Sequence, residues 1–149
     1  NEKENRPFIG VILNVNGKNF FAPLTSPKKK HLSMKNMQDF LKIDIGRLGG
    51  INLNNMIPIP SSYLEKIEID KIEDKKYKNM ITNQIKWINL NTLRIQNRAR
   101  NLYYIISNGH ANKDLQDRCC NFKLLEKRCD DYMRENNVNE EEILYGFYA

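Results

Sequence analysis

A chain of 149 residues, 40% hydrophobic and 28% charged, has the balance of one globular domain with one core, and no apolar run approaches the roughly 18 residues of a membrane span. Three cysteines (Cys119, Cys120, Cys129) and two histidines (His31, His110), with no Cys-x-x-Cys, argue against a disulfide framework and a zinc site and fit a reducing cytoplasm. The net charge of +6 is segregated: residues 1–113 carry 19 Lys/Arg against 9 Asp/Glu, residues 114–149 carry 5 against 9. A basic body points to a polyanionic partner, because neutralising phosphates releases condensed counterions; the competing reading is a solvated lysine-rich surface.

The chain opens Asn1-Glu2-Lys3 without a methionine, so a further N-terminal segment, up to a whole strand, is expected ahead of it. Residues 8–15 read as a strand. Asn16-Gly17 is the preferred pair for a type I′ hairpin turn, and residues 18–25 return as the second strand. A two-residue turn sets the register: Val15 faces Lys18, Leu13 faces Phe20, Val11 faces Ala22. Ile9, Val11, Leu13 and Val15, with Phe20, Ala22 and Leu24 opposite, form the expected core face. Gly10 and Pro23 then fall at a non-hydrogen-bonded pair, so the missing N–H points outward and the outer side of the second strand should be unpaired or bulged there. Extending the count places Arg6 opposite Pro27, beside Thr25-Ser26-Pro27-Lys28.

Residues 27–36 read as a basic, polar loop. Residues 37–45 favour a strand slightly, through Phe40, Ile43 and Ile45. Gly46, Gly49 and Gly50 mark a turn. Residues 51–59 alternate in part and end at Pro58 and Pro60, and a further strand is expected around Ile67-Glu68-Ile69. Beyond residue 74 the period changes. Tyr77, Met80, Ile81, Gln84, Ile85 and Ile88 follow helical spacing, as do Ala99, Leu102, Tyr103 and Ile106 before a stop at Asn108-Gly109. Leu125, Cys129, Tyr132 and Met133 mark a third helix. The acidic Glu140-Glu141-Glu142 precedes apolar residues from Leu144 to Tyr148. Strands first and helices later make an α+β layout in one domain spanning 1–149.

Several blocks resemble ToxN/AbiQ-type toxins: Arg6-Pro7-Phe8-Ile9-Gly10-Val11; Ala22-Pro23-Leu24-Thr25-Ser26-Pro27-Lys28-Lys29; Gly50-Ile51-Asn52-Leu53 through Met56-Ile57-Pro58-Ile59; Tyr77-Lys78; and Cys120-Asn121-Phe122-Lys123-Leu124-Leu125-Glu126. They run in the family's order over residues 6–133. The resemblance implies a compact, twisted antiparallel β-sheet or barrel, similar to MazF/Kid toxins, with helices around it. It also implies a sequence-selective, metal-independent endoribonuclease toxin of a type III toxin–antitoxin (phage abortive infection) system. Such a toxin uses no cofactor, cuts mRNA and its antitoxin precursor, and is inhibited by repeated pseudoknots of an antitoxin RNA. Toxin and RNA would then assemble into a closed ring.

Metal-free cleavage uses the ribose 2′-OH as nucleophile, giving a 2′,3′-cyclic phosphate and a 5′-OH. It needs a proton acceptor, a proton donor and hydrogen-bond donors for the phosphorane. Thr25, Ser26 and Lys28, at a strand end, match the family's Thr-Ser-x-Lys active-site set. Lys28 is expected to stabilise the phosphorane, and the two hydroxyls to position the phosphate or the 2′-OH. Arg6 is a supporting phosphate contact or a surface ion pair. His31 is an acid–base residue or an exposed loop histidine. His110 reads as loop.

Lys29 and Lys30, with Lys86, Arg94, Arg98 and Arg100, are candidate RNA contacts. Arg94 and Arg98 share a helix face, which alternatively is simply solvated. Tyr103 and Tyr104 could stack on bases, although Tyr103 lies on the apolar stripe. The rival readings are a non-catalytic RNA-binding module and a DNA-binding helix-turn-helix within residues 91–135. A metallonuclease is disfavoured, since no acidic or histidine cluster has ligand spacing in the basic half.

Overall fold

Asn16 and Gly17 both hold positive φ, 53° and 75°, as a type I′ turn demands. They join β1 (Gly10–Val15) to β2 (Lys18–Thr25) in the expected register, from Val15 against Lys18 to Gly10 against Pro23. A computed structural model describes residues 9–138 and 143–149 of the chain. Pro23 acts as the register requires. The outer side of β2 pairs with β5 (Ile57–Pro58) at Phe20 and Phe21 and with β4 (Gly50–Ile51) at Leu24 and Thr25, and the ladder is interrupted between them.

The middle of the chain differs from expectation. The loop at 27–36 contains a short helix, α1 (Lys29–Ser33). The strand expected over 37–45 shrinks to β3 (Leu41–Lys42), because Asp44 and Ile45 take left-handed φ of 50° and turn the chain into a 3-10 segment, Asp44–Gly46. The strand expected over 51–59 is split into β4 and β5 by a second 3-10 segment, Leu53–Asn55, where buried Leu53 and Met56 flank half-buried Asn54 and exposed Asn55. Near Ile67 only one bridge forms, Lys66 to Tyr148, and Ile69–Lys71 is a 3-10 segment.

Helices α2 (Lys75–Leu90), α3 (Thr92–Ser107) and α5 (Phe122–Glu135) follow the periodicity. A shorter α4 (Lys113–Arg118) was not foreseen; Asn112 caps it, accepting a bond from the Leu115 N–H at 2.9 Å. The C-terminal apolar residues form β6 (Gly146–Tyr148), antiparallel to β1.

The sheet order is β3-β4-β2-β1-β6, with β5 also on β2. Every ladder is antiparallel. Among the described residues no ladder joins β3 to β6, so the sheet is open and the expected closed barrel is not formed by them. Val11, Leu13, Val15, Phe20 and Ala22 form the buried face, packed against Ile88, Ile95, Ala99, Leu102 and Phe122 of the helices. The other face is also covered: Ile12, Phe21 and Tyr148 make a second, smaller cluster with Ile59, Leu64 and Leu144.

Candidate active site

β2 ends at Thr25, and Pro27, which lacks an N–H and fixes φ, directs the chain away from the sheet. The backbone at Thr25 is held from two sides. Gly49, at φ 82°, lies so close that a Cβ there would sit 2.0 Å from the Thr25 carbonyl oxygen, so only glycine fits. Gln84 of α2 is buried and donates from Nε2 to the carbonyls of Leu48 (2.9 Å) and Thr25 (3.4 Å). The Thr25 hydroxyl stays half-exposed, 3.4 Å from the Ser26 carbonyl.

His31 is not an exposed loop residue; it is 2% exposed, on α1. Its ring stacks on Phe40 at 5.4 Å, its Nδ1 accepts the Lys28 N–H at 3.0 Å, and the His31 backbone N–H donates to the Lys28 carbonyl at 2.9 Å. Because Nδ1 is an acceptor, the neutral ring carries its proton on Nε2. Burial, and then Lys30 and Lys28, push its pKa below the ordinary histidine value. His31 is therefore a neutral ring whose Nδ1, as acceptor, shapes the Lys28 turn.

Thr25, Lys28, Lys30 and His31 come together on a cleft of about 310 Å³ that also takes Asn52, Asn54 and Arg118. Arg118, at the end of α4, is the residue sequence reading missed. Its Nε and Nη2 donate to the two carboxylate oxygens of Asp39, each at 3.0 Å, and Asn54 Nδ2 donates to Asp39 Oδ2 at 3.3 Å. Asp39 is 2% exposed. The paired carboxylate raises the Arg118 pKa above an already high value, so its charge is permanent. Nη1 has no protein partner among the described residues. Two lysines and this fixed guanidinium face one carboxylate, which is already spent on Arg118 (a net positive cleft with a hydroxyl at its edge).

The other predicted residues are dispersed. Ser26 is exposed beside Thr25, and Lys29 is exposed on α1. Lys86 is exposed on α2, and Arg94 lies over the Trp87 ring at 6.0 Å. Arg98 donates to the Met37 carbonyl at 3.0 Å, bracing a wall of the cleft, and Arg100 donates to the Asn14 carbonyl at 3.3 Å near the hairpin turn. Arg94 and Arg98 lie near enough on α3 for the Arg94 charge, after burial, to lower the Arg98 pKa. Arg6 lies outside the described residues. His110 is exposed and stacks on Tyr104, while Tyr103 packs on Phe122 and bonds to Glu126 within the core. Cys119 is a half-buried thiol whose pKa is pushed up to about 12 by desolvation and the nearby Asp39 charge, so it stays protonated.

Hydroxyl, ammonium and oriented guanidinium groups on one cleft of a basic α+β domain define a protein that handles phosphodiesters. The family described as "Toxin ToxN, type III toxin-antitoxin system" matches residues 1–130, and the chain belongs to it. Endoribonuclease ToxN of Bacillus thuringiensis subsp. kurstaki is 30% identical over 145 residues, 93% of this chain and 75% of that protein. Endoribonuclease ToxN of Pectobacterium atrosepticum is 32% identical over 142 residues, 91% of this chain and 80% of that protein. Endoribonuclease AbiQ of Lactococcus lactis subsp. lactis is 30% identical over 139 residues, 87% of this chain and 74% of that protein. A solved structure from work on a bacterial antiviral system regulated by a processed non-coding RNA aligns with a TM-score of 0.72 at 27% identity, covering 88% of this chain and 83% of its own. Another, from work on selective toxin inhibition by a non-coding RNA pseudoknot, aligns at 0.67 with 29% identity, covering 88% and 82%. Among the described residues no helix is long and apolar enough to cross a membrane.

Proposed function

We propose that this endoribonuclease toxin cuts single-stranded RNA in the cleft of Thr25, Lys28 and Arg118, by attack of a ribose 2′-OH on the adjacent phosphate. The observation that carries the reading is Arg118, fixed in plane by a buried carboxylate in the same cleft as Lys28. A guanidinium so held loses little freedom when it meets a phosphate. Lys28, Lys30 and Arg118 gain most as charge builds on the phosphorane, which is where electrostatic preorganisation lowers a barrier. Thr25 and Ser26 offer hydroxyls to the phosphate or the 2′-OH. Lys28 donates a proton to the leaving 5′-oxygen, and the 2′-OH proton passes to solvent water, from which Lys28 is reprotonated. His31 is a positioning residue that holds the Lys28 backbone; its Nε2–H form cannot accept the 2′-OH proton. Arg6 enters as a supporting phosphate contact on the hairpin register alone. No metal is required in this scheme, because the three cations supply the charge.

Lys29, Lys86 and Arg94, all exposed, extend the basic surface to bind RNA beyond the cut site. Arg98 and Arg100 contribute less, each having a backbone partner. The same surface would bind an antitoxin RNA pseudoknot, a reading supported by the work on pseudoknot inhibition of a similar toxin, and repeats of that RNA would close toxin and RNA into a ring. A MazF/Kid-like sheet, open among the described residues, and a cytoplasmic location complete the proposal, supported by the antiparallel β1–β2 hairpin and by the free thiols of Cys119 and Cys120.

Incubation with cellular RNA in excess EDTA tests the chemistry. Wild type should yield fragments ending in 2′,3′-cyclic phosphate, and a folded Lys28→Ala variant should lose at least about 100-fold in rate. Loss of cutting in EDTA, restored by Mg²⁺, would overturn the metal-free scheme. RNA binding without cutting by wild type would leave a non-catalytic module. Native mass spectrometry of toxin with repeat RNA should show equal copy numbers of each; a 1:1 pair alone would sink the ring.

A further inference from the structure

A second cleft of about 410 Å³ lies next to the charged one and shares two of its residues, Thr25 and Asn52. Its remaining lining is Phe21, Pro23, Leu24, Asn55 and Ile57, with no charged side chain at all. We infer that this cleft is a nucleobase subsite, in which the base flanking the scissile phosphate lies against Phe21, Pro23 and Ile57 while Asn52 and Asn55 read its hydrogen-bonding edge. The inference rests on the reading of the charged cleft as the cutting site.

Three observations carry it. First, charge is partitioned across a shared ridge. Lys28, Lys30 and Arg118 lie in one cleft and only apolar, amide and hydroxyl groups in the other, which is the partition between a phosphate and the base beside it. An unstacked base needs an apolar or aromatic surface to replace its lost stacking, and single-stranded RNA is read in this way. Second, both amides are available. Neither the Asn52 nor the Asn55 side chain has a hydrogen-bond partner among the described residues. An amide offers a donor and an acceptor side by side and can match the paired donor and acceptor on a base edge. Third, the amides stand on rigid backbone. The Asn52 N–H donates to the Pro23 carbonyl at 2.9 Å, and the Asn55 N–H donates to the Asn52 carbonyl at 3.2 Å. Leu53 and Met56, both fully buried, anchor the turn between and beyond them. A reading group held in this way discriminates, because a wrong base leaves its donor or acceptor unpaired.

The test uses short oligoribonucleotides that share one cut site and differ only in the base on either side of it. The readout is the ratio of kcat/KM for the best and worst base at each flanking position. Wild type should show a preference at one of the two positions. Asn55→Ala should flatten that ratio by about tenfold, the discrimination expected of one amide–base pairing. Asn55→Asp, which keeps the shape but replaces the amide donor with a second acceptor, should change which base is preferred at that position. Asn55 is exposed, so both variants should fold. Should either cut too slowly to measure, dissociation constants for the same oligomers with a 2′-deoxy sugar at the cut give the same ratio. An unchanged ratio in both variants, or a wild type indifferent to both flanking bases, overturns the subsite. A wild type that cuts no RNA at all instead overturns the cutting site, and the subsite falls with it.

Discussion

Asp39 and Arg118 show how one residue pair can define a site. Asp39 is almost wholly buried, and its charge is acceptable because Arg118 donates to both of its oxygens and Asn54 to one of them. Arg118 is 40% exposed, so its other face remains available to a ligand. Arg118→Lys keeps the charge but loses the planar fork. Single-turnover cleavage should slow by about 10- to 100-fold while the thermal midpoint shifts little; unchanged cleavage would remove Arg118 from the mechanism. His31 supplies a pH signature. Its folded pKa is lowered, so the unfolded chain binds the extra proton first as pH drops. This contribution to stability is therefore whole above about pH 6.5 and is lost as pH falls from there toward the lowered folded value. Lys28 and Lys30 act on the ring from its own helix, and across the packing it meets uncharged Phe40. Urea midpoints at about pH 7.5 and pH 5.5 should fall further for wild type than for His31→Gln; equal falls would mean that His31 titrates normally.

At the scale of elements, the hairpin was legible because its signals are contiguous. Asn16-Gly17 defines a turn of known geometry, and the register follows by counting. The helices were legible through their 3.6-residue period. The short pieces between residues 37 and 71 were not, because two-residue strands carry no period and are held by what lies beside them. β6 illustrates this. Its three residues look like the end of a tail, yet they cover the outer edge of β1, with Phe147 in the main core and Tyr148 in the second cluster. Phe147→Ala should cost about 3–4 kcal/mol in urea unfolding. A loss under about 1 kcal/mol would mean that the strand is dispensable to the fold.

At the scale of the molecule, the fold brings the end of β2, the turn into α1, the 3-10 turn after β4 and the end of α4 to one side of the sheet. Side chains fix those pieces: buried Gln84 reaches from α2 to Thr25, and half-buried Arg98 from α3 to the Met37 wall. The helices thus do more than cover the core, since they also set the shape of the cleft. A polyanion meets a charged cleft, an uncharged cleft and exposed lysines, and the binding of single-stranded RNA should weaken with salt accordingly.

The sequence alone determined the hairpin register, the place of Pro23 with its N-side turned away from β1, the three long helices and the α+β layout, and it offered Thr25, Ser26 and Lys28 for the proposed site. Turn chemistry, side-chain period and a contiguous motif are all properties of neighbouring residues. Only the tertiary structure decided that His31 is buried and neutral, that Arg98 and Arg100 are tied to backbone, and that the last residues add a strand. It alone also joined Arg118 to Asp39, 79 residues apart. The physical reason is that no local preference encodes that pair: its geometry exists only once the sheet and α4 are packed, and burial then makes the pairing obligatory.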